Sequence, residues 1–181
     1  MTTALMLVER GFQDEEYVYA YYRMREEGWS VLVWAPDGKP VRGNYGVPAL
    51  VNTSAFTADA ISADVIVIPG GFESPDRLRE REDVQGMVRR QHEEGKLIAA
   101  ICHGPWVLIS AGICSGRRMT GYKSIAPDIR NAGATYVDGP VVVDGNIITA
   151  QHYRDNGAFM RAVVNRAGAK IQYTEGPHAV F

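Results

Sequence analysis

Short runs of consecutive apolar residues alternate with longer amphipathic stretches through most of the chain. The first two runs cover residues 4–8 and 30–35, and between them residues 13–27 carry apolar and aromatic side chains at helical spacing. Runs without polar alternation are typical of strands buried on both faces of a parallel sheet. This part of the chain therefore predicts a strand, a helix and a second strand parallel to the first.

The same alternation continues into the middle of the chain. A third buried strand is predicted over residues 64–68, and a second amphipathic helix over residues 82–94. A fourth strand over residues 97–102 precedes a helix that Gly104-Pro105 opens, because proline suits the first turn of a helix.

The predicted elements after Gly112 are shorter. They are a brief strand over residues 118–120, a helix over 125–132, an antiparallel hairpin over 141–149 around Asp144-Gly145, and a last helix over 154–166. Residues 39–54 carry short β-like pieces and predict a small hairpin appended to the main sheet, with no chemistry of its own.

Together these elements predict a single α/β domain over residues 1–166, followed by a loosely ordered tail over residues 167–181. The expected architecture is an open, doubly wound, mostly parallel sheet sandwiched by helices, in which ligands bind outside the carboxyl ends of the strands. Three segments converge at that edge: residues 11–16, Gly70-Gly71 and Cys102-His103.

Composition excludes several classes of function. The 19 basic residues are interspersed among 21 acidic ones, so no basic stripe is available for nucleic acid. The apolar runs are far shorter than the roughly 20 residues that span a bilayer, and residues 1–8 lack the basic start of a signal peptide. No Cys/His cluster has zinc spacing. We expect a cytoplasmic protein with no metal, no other cofactor and no membrane or nucleic-acid partner.

Cys102 and Cys114 are the two cysteines of the chain. A helix between them would separate them by about 12 Å, beyond the roughly 7 Å between Cα atoms that a disulfide allows, so we expect two free thiols. Cys102 ends a predicted strand just before a helix, which is the geometry of a nucleophile elbow. The alternative interpretation is a buried structural cysteine.

Five stretches carry a resemblance to a known family. They are GFQDEE (residues 11–16), Pro69-Gly70-Gly71 with Ser74-Pro75-Asp76, AICHGP (100–105), DIRNAGA (128–134) and VVVDGN (141–146). In this order they resemble the ThiJ/PfpI superfamily, and within it the PfpI-type branch of small intracellular proteins, from residue 4 to about residue 166. The resemblance implies a flavodoxin-like fold that forms a homodimer or a higher homo-oligomer.

The resemblance also implies roles for individual residues. It marks Cys102 as reactive, with Glu16 as the acidic partner beside the sulfur. It implies that Asp76 of a neighbouring subunit completes the imidazole of His103, and that the backbone N–H groups of Gly71 and His103 form an oxyanion hole next to Gly70.

Physical arguments leave alternatives open for most of these residues. The helix start after Gly104 would lower the pKa of the Cys102 thiol, and Glu16 would share one proton with it and donate to the sulfur. The Glu16 alternative is a solvated carboxylate in the first turn of a helix. His103 is either a general base or a source of a backbone N–H alone, because consecutive side chains usually diverge. Asp76 is either the intersubunit group or a carboxylate at a helix start.

The chain departs from the family at residues 151–153, Gln-His-Tyr, where the family usually has a Ser-Arg-x-Pro-type segment. His152 either contacts substrate or forms a pocket wall. The leading hypothesis is a cysteine-dependent hydrolase or lyase acting on a small carbonyl compound, as a glyoxalase or deglycase does. The alternatives are an intracellular cysteine peptidase, an isonitrile-hydratase-like enzyme, and a redox-sensing stress chaperone without enzymatic activity.

Overall fold

Residues 1–53 and 62–168, the part that the computed structural model describes, are organised around a mostly parallel sheet. The strands are β1 (Thr3–Leu7), β2 (Ser30–Trp34), β3 (Val65–Ile68), β4 (Leu97–Ile101), β5 (Arg118–Met119), β6 (Thr135–Tyr136), β7 (Val141–Asp144) and β8 (Ile147–Ala150). The main sheet has the order β2-β1-β3-β4-β8-β7, and β7 is its antiparallel strand. Strands β5 and β6 form a separate parallel pair.

Helices cover both faces of the main sheet. They are α1 (Asp14–Glu26), α2 (Glu73–Arg79), α3 (Glu82–Glu93), α4 (Pro105–Ser110), α5 (Ala126–Asn131) and α6 (Asn156–Arg166). One apolar cluster joins α1 and α6 to one face of the strands, and a second joins α2 to α5 to the other face. The predicted fold class, a mostly parallel sheet sandwiched by helices, is confirmed.

The central strands read as continuous apolar runs because both of their faces are buried. In β3 all four residues are buried, and in β4 all five. Alternate residues point to opposite clusters, as the period of two in a strand requires: Ile98 joins one cluster and Ala99 the other.

The segment after β2 differs from its prediction. Within the described residues 39–53, the expected hairpin is reduced to a single antiparallel bridge between Arg42 and Pro48, and a parallel bridge between Thr53 and Trp34 of β2 attaches the segment to the main sheet as predicted. Its backbone is held by the buried Asp14 at the start of α1, whose carboxylate accepts hydrogen bonds from the N–H groups of Tyr45 and Val47, both at 2.9 Å. The segment therefore packs on the loop that leads into α1.

The later elements are close to their predictions. The hairpin of β7 and β8 turns at Gly145 and Asn146, and short 3₁₀ turns at Lys123–Ile125 and Tyr153–Asp155 precede α5 and α6. Of the expected tail, residues 169–181 lie outside the described residues, as does Ser54 at the end of the predicted hairpin.

Candidate active site

Cys102 lies on a sharp turn between β4 and α4. Its φ of 61° is in the left-handed region, which is unfavourable for a residue with a Cβ atom. The turn is held on both sides, because the Cys102 N–H donates to the Ala150 carbonyl at 2.9 Å and the Cys102 carbonyl accepts from the Tyr122 N–H at 2.8 Å. The strand, sharp turn and helix predicted for a nucleophile elbow are present.

Glu16 approaches the same turn from the first turn of α1. Its side chain is buried, Oε2 accepts the Gly70 N–H at 2.6 Å, and Oε1 has no hydrogen-bond partner among the described residues. Burial raises the pKa of Glu16 to about 8, against smaller lowering by the Gly70 N–H and the Cys102 thiol. Glu16 is therefore mostly protonated at neutral pH.

The Gly70-Gly71 loop after β3 allows the Glu16 carboxyl group and the Cys102 thiol to lie close together. A Cβ atom on Gly70 would lie 2.5 Å from the Cys102 Cβ and 2.7 Å from Glu16 Oε2, so this position admits no side chain. Gly71 has a φ of 82°, and its N–H, like that of His103, is directed to the Cys102 sulfur and lowers the pKa of the thiol. Two backbone donors thus face the sulfur.

The net effect on Cys102 corrects an expectation from the sequence. Burial raises the pKa of the thiol above its ordinary value, the charge of Glu16 raises it further, and the two backbone donors offset only part of this. These effects oppose the lowering expected from the start of α4, which has only six residues and begins three positions after Cys102. The thiol is therefore protonated at neutral pH.

His103 is placed differently from the sequence argument that adjacent side chains diverge. Its Nδ1 lies 3.3 Å from the Cys102 sulfur, because the left-handed conformation at Cys102 turns the two side chains toward each other. Its Nε2 lies 3.2 Å from the hydroxyl of Ser124. The ring packs between Trp106 and Tyr122, and burial lowers the pKa of His103 while Asp128 raises it less.

Within a single chain, Asp76 does not contact the His103 imidazole. It lies exposed in the first turn of α2, while both ring nitrogens of His103 already contact Cys102 and Ser124. The intersubunit role that the resemblance implies for Asp76 stays a prediction.

A pocket of about 230 Å³, called here the side pocket, opens beside the elbow. Three stacked rings connect the elbow to the side pocket. The His103 and Tyr122 ring centroids are 5.1 Å apart, and the Tyr122 and His152 ring centroids are 5.8 Å apart. His152 is thus a wall of this pocket, and burial, with the charge of Arg154, lowers its pKa. The pocket is lined by Tyr122, Lys123, Gln151, His152, Arg154 and Asp155.

The described residues contain no group of three or more His, Cys, Asp and Glu side chains arranged to hold a metal ion. Over the same residues, no helix has the length and apolar character to cross a membrane.

Comparison with known proteins adds an independent observation, because residues 2–166 match the sequence model of the DJ-1/PfpI family. The chain belongs to the DJ-1/PfpI family. Deglycase PfpI of Pyrococcus furiosus is 38% identical over 160 residues, which cover 88% of this chain and 96% of that protein. General stress protein 18 of Bacillus subtilis is 37% identical over 153 residues, 83% of this chain and 88% of its own length.

Solved structures of the family have the same fold. The crystal structure of Drosophila melanogaster DJ-1beta superposes with a TM-score of 0.86 at 33% sequence identity, over 93% of this chain and 91% of that one. The family resemblance derived from the sequence motifs is therefore confirmed.

Sequence reasoning missed two residues of the site, Tyr122 and Ser124. Both lie in the polar run that directly follows the brief strand β5, at the edge of the sheet where Cys102 lies. The signal for both residues is a polar run that follows a predicted short strand, the position at which ligands bind in a parallel sheet.

Proposed function

We propose that this protein is a cysteine-dependent enzyme that converts small 2-oxoaldehydes, free or bound as adducts, into 2-hydroxy acids, with Cys102 as the nucleophile. The observation that carries the proposal is Glu16, a buried carboxyl group with a raised pKa beside a thiol that two backbone N–H groups face. A group that titrates near neutral pH is suited to accept and return a proton. The deglycase names of the relatives support the same chemistry.

In the first step, the Cys102 sulfur attacks the aldehyde carbon and forms a C–S bond. The thiol proton passes to His103 Nδ1, 3.3 Å from the sulfur, and from there to the aldehyde oxygen, which gives a hemithioacetal. The N–H groups of Gly71 and His103, with Gly70 packed beside them, would hold the negative oxygen of this step.

In the second step, the carboxylate form of Glu16 removes the hydrogen, as a proton, from the carbon bound to sulfur and returns it to the neighbouring carbonyl carbon. The hydroxyl proton of the hemithioacetal moves to the oxygen of that neighbouring carbon. The product is a 2-hydroxy thioester on Cys102. Water then adds to the thioester carbon, the C–S bond breaks, and the thiol regains its proton. One carbon is oxidised while its neighbour is reduced, so the conversion needs water but no external oxidant or reductant.

The burial of Cys102 favours a small substrate over a peptide. Only 7% of its surface is exposed, and a folded protein chain would reach the sulfur only after a rearrangement of the elbow. Hydrolysis of a peptide, hydration of an isonitrile and redox sensing by Cys102 remain the competing activities.

We also propose that the protein works as a homo-oligomer and that Asp76 of the partner subunit contributes to the site. Because Ser124 already contacts His103 Nε2, the added carboxylate would act by replacing this contact or through its charge. Asp76→Asn should lower activity with little change in unfolding free energy, since a carboxylate at a helix start contributes about 0.3–1 kcal/mol. An active monomer in sedimentation, or unchanged kinetics of Asp76→Asn, would refute the shared site.

The compartment proposed for the enzyme is the cytoplasm. Its two cysteines are both free thiols, and such thiols persist in a reducing compartment. Activity in the membrane or secreted fraction of fractionated cells would contradict this.

The test of the proposed reaction is turnover of methylglyoxal without glutathione, measured as lactate formed. We expect turnover by the wild type and by Cys114→Ser, the matched control, and a loss of at least about 10³-fold in Cys102→Ser. Turnover of a peptide amide or an isonitrile but not of methylglyoxal would replace the proposal with the corresponding alternative. No turnover of any of these substrates would leave the redox-sensing role.

A further inference from the structure

The charges of the side pocket indicate what kind of carbonyl compound the enzyme takes. Lys123 and Arg154 bring two cationic groups to its wall, against the single carboxylate of Asp155. In the part of the chain that the structure describes, neither cation forms an ion pair with a carboxylate. His152 adds no charge at neutral pH, because its pKa is lowered. The residues that line the pocket therefore carry one positive charge in excess, which complements a single negative charge. Two further carboxylates act on the lining from outside it, Glu15 on His152 and Asp138 on Gln151.

The side pocket is joined to the elbow that carries the reacting sulfur. The turn that carries Tyr122 and Lys123 is bonded to the elbow, since the Tyr122 N–H donates to the Cys102 carbonyl at 2.8 Å. A cavity of about 150 Å³ is enough to hold benzene, so a pocket of about 230 Å³ admits a chain of several carbon atoms. One end of such a substrate would lie at the sulfur and the other in the side pocket.

Hydrogen bonds and ring contacts fix the walls of the pocket before a ligand binds. The Gln151 side-chain amide donates to Asp138 at 2.8 Å and to the Tyr136 hydroxyl at 3.1 Å. His152 Nδ1 accepts the backbone N–H of Arg154 at 3.3 Å, and its ring lies 3.9 Å from that of Tyr153. A largely preformed concave site with a few polar groups is typical of small-molecule recognition.

We propose that the substrate is a 2-oxoaldehyde that carries a carboxylate, and that Lys123 and Arg154 bind this carboxylate while the aldehyde reacts at Cys102. The excess of one positive charge favours a carboxylate over a dianionic phosphate, which Asp155 would repel more strongly. The inference rests on the proposed function, because it names the substrate class of the same site.

The first test compares 4,5-dioxopentanoate with its methyl ester, which is neutral and larger by one methyl group. We expect the wild type to have the higher kcat/KM for the carboxylate. Lys123→Gln and Arg154→Gln should each reduce the ratio of the two kcat/KM values by a factor of about 1.4 to 5, the range for exposed charge pairs. Asp155→Asn should raise the ratio, and 0.5 M salt should reduce it.

The matched control is Lys39→Gln. Lys39 is an exposed lysine that pairs with Asp37 and does not line the side pocket, so the ratio should not change in this variant. If the wild type converts methylglyoxal but has equal kcat/KM for the acid and the ester, the carboxylate preference is refuted and the proposed reaction stands.

A second measurement decides the inference even if no oxoaldehyde is converted. The unreactive Cys102→Ser variant is titrated calorimetrically with 4-oxopentanoate and with neutral 4-oxopentanamide. Tighter binding of the acid, lost in the Cys102→Ser, Arg154→Gln double variant, supports the anion site even where the proposed reaction fails. Equal binding of the two ligands, or a preference that survives the double substitution, overturns it.

Discussion

Cys102 and Cys114 are both free and both buried, with 7% and 1% of their surfaces exposed, yet they lie in different surroundings. Cys114 belongs to the apolar cluster that α2 to α5 form on one face of the sheet, and burial raises the pKa of its thiol to about 12. Cys102 lies on the other face, on a strained turn, beside a carboxyl group, an imidazole and two backbone donors.

The contrast shows that burial by itself produces an inert thiol. What distinguishes Cys102 is the position of groups from the ends of neighbouring strands: Glu16 follows β1, Gly71 follows β3, and His103 follows β4. These three strands are adjacent and parallel, so their carboxyl ends lie at one edge of the sheet. Cys114 follows α4, away from the strand ends that supply these groups.

Replacing Glu16 should have the largest effect on this contrast. Glu16→Gln keeps a hydrogen-bond donor but cannot accept and return a proton, so we expect turnover to fall by about 10² to 10⁴-fold. The substitution also removes a charge that raises the pKa of Cys102, so the Cys102 thiol should ionise at a lower pH while Cys114 stays unchanged. Kinetics and alkylation rates measured on the same sample check both parts.

The matched control is Glu15→Gln, an exposed carboxylate on the same turn of α1. It should change turnover less than about threefold. Equal losses of turnover in Glu15→Gln and Glu16→Gln would mean that Glu16 has a structural role only.

The pH dependence of activity should also depend on Glu16. Glu16 and Cys102 interact, so they titrate as a pair, and the loss of the first proton follows the pKa of Glu16, about 8. The form with one proton left is the reactive one, so kcat/KM should rise about tenfold per pH unit up to about pH 8. A profile that is flat from pH 6 to 8 in the wild type would contradict this.

Replacing Ser124 should have a smaller effect. Its hydroxyl can donate to or accept from His103 Nε2, so it supports the ring both before and after the ring takes the thiol proton. We expect Ser124→Ala to lower kcat several-fold and to move the pH profile, and Ser124→Thr, which keeps the hydroxyl, to restore both. A loss of kcat with an unmoved profile in Ser124→Ala would argue against this positioning role.

The last expected effect is on thermal stability, which does not depend on catalysis. The pKa of Glu16 is raised from 4.5 to about 8 in the folded protein, so the folded state keeps a proton that the unfolded chain releases. The stabilisation is complete below about pH 4.5 and is lost as the pH rises to about 8. The Tm of the wild type should therefore fall across this window relative to that of Glu16→Gln. A constant difference in Tm between the two proteins would contradict the raised pKa.

The fold could be predicted from the sequence because the strands are continuous apolar runs. The apolar runs over residues 64–68 and 97–102 predicted the bounds of β3 and β4 to within one residue. Burial on both faces leaves no polar position inside such a strand. Residues 39–54 were predicted less well, because their structure depends on Asp14, a carboxylate some 30 residues upstream.

The site could be predicted only in part. The motifs placed Glu16, Gly71 and Cys102 at one edge of the sheet, because the alternation of elements predicts parallel strands whose carboxyl ends lie together. They could not give the contact between Cys102 and His103, which depends on a φ of 61° at one residue. Nor could they give the pKa of the Cys102 thiol, for which three-dimensional burial outweighs the start of a short helix.

The most direct test of the central claim is the alkylation of the two thiols in the same native molecule. A short pulse of iodoacetamide near neutral pH is followed by peptide mapping of Cys102 and Cys114, with unfolded protein as the reference in which both sites react alike. The account predicts that Cys102 is labelled at least about tenfold faster, because it is more exposed than Cys114 and His103 Nδ1, 3.3 Å away, can take its proton as the reagent reacts. Equal labelling of the two sites in the native protein, or faster labelling of Cys114, would contradict it.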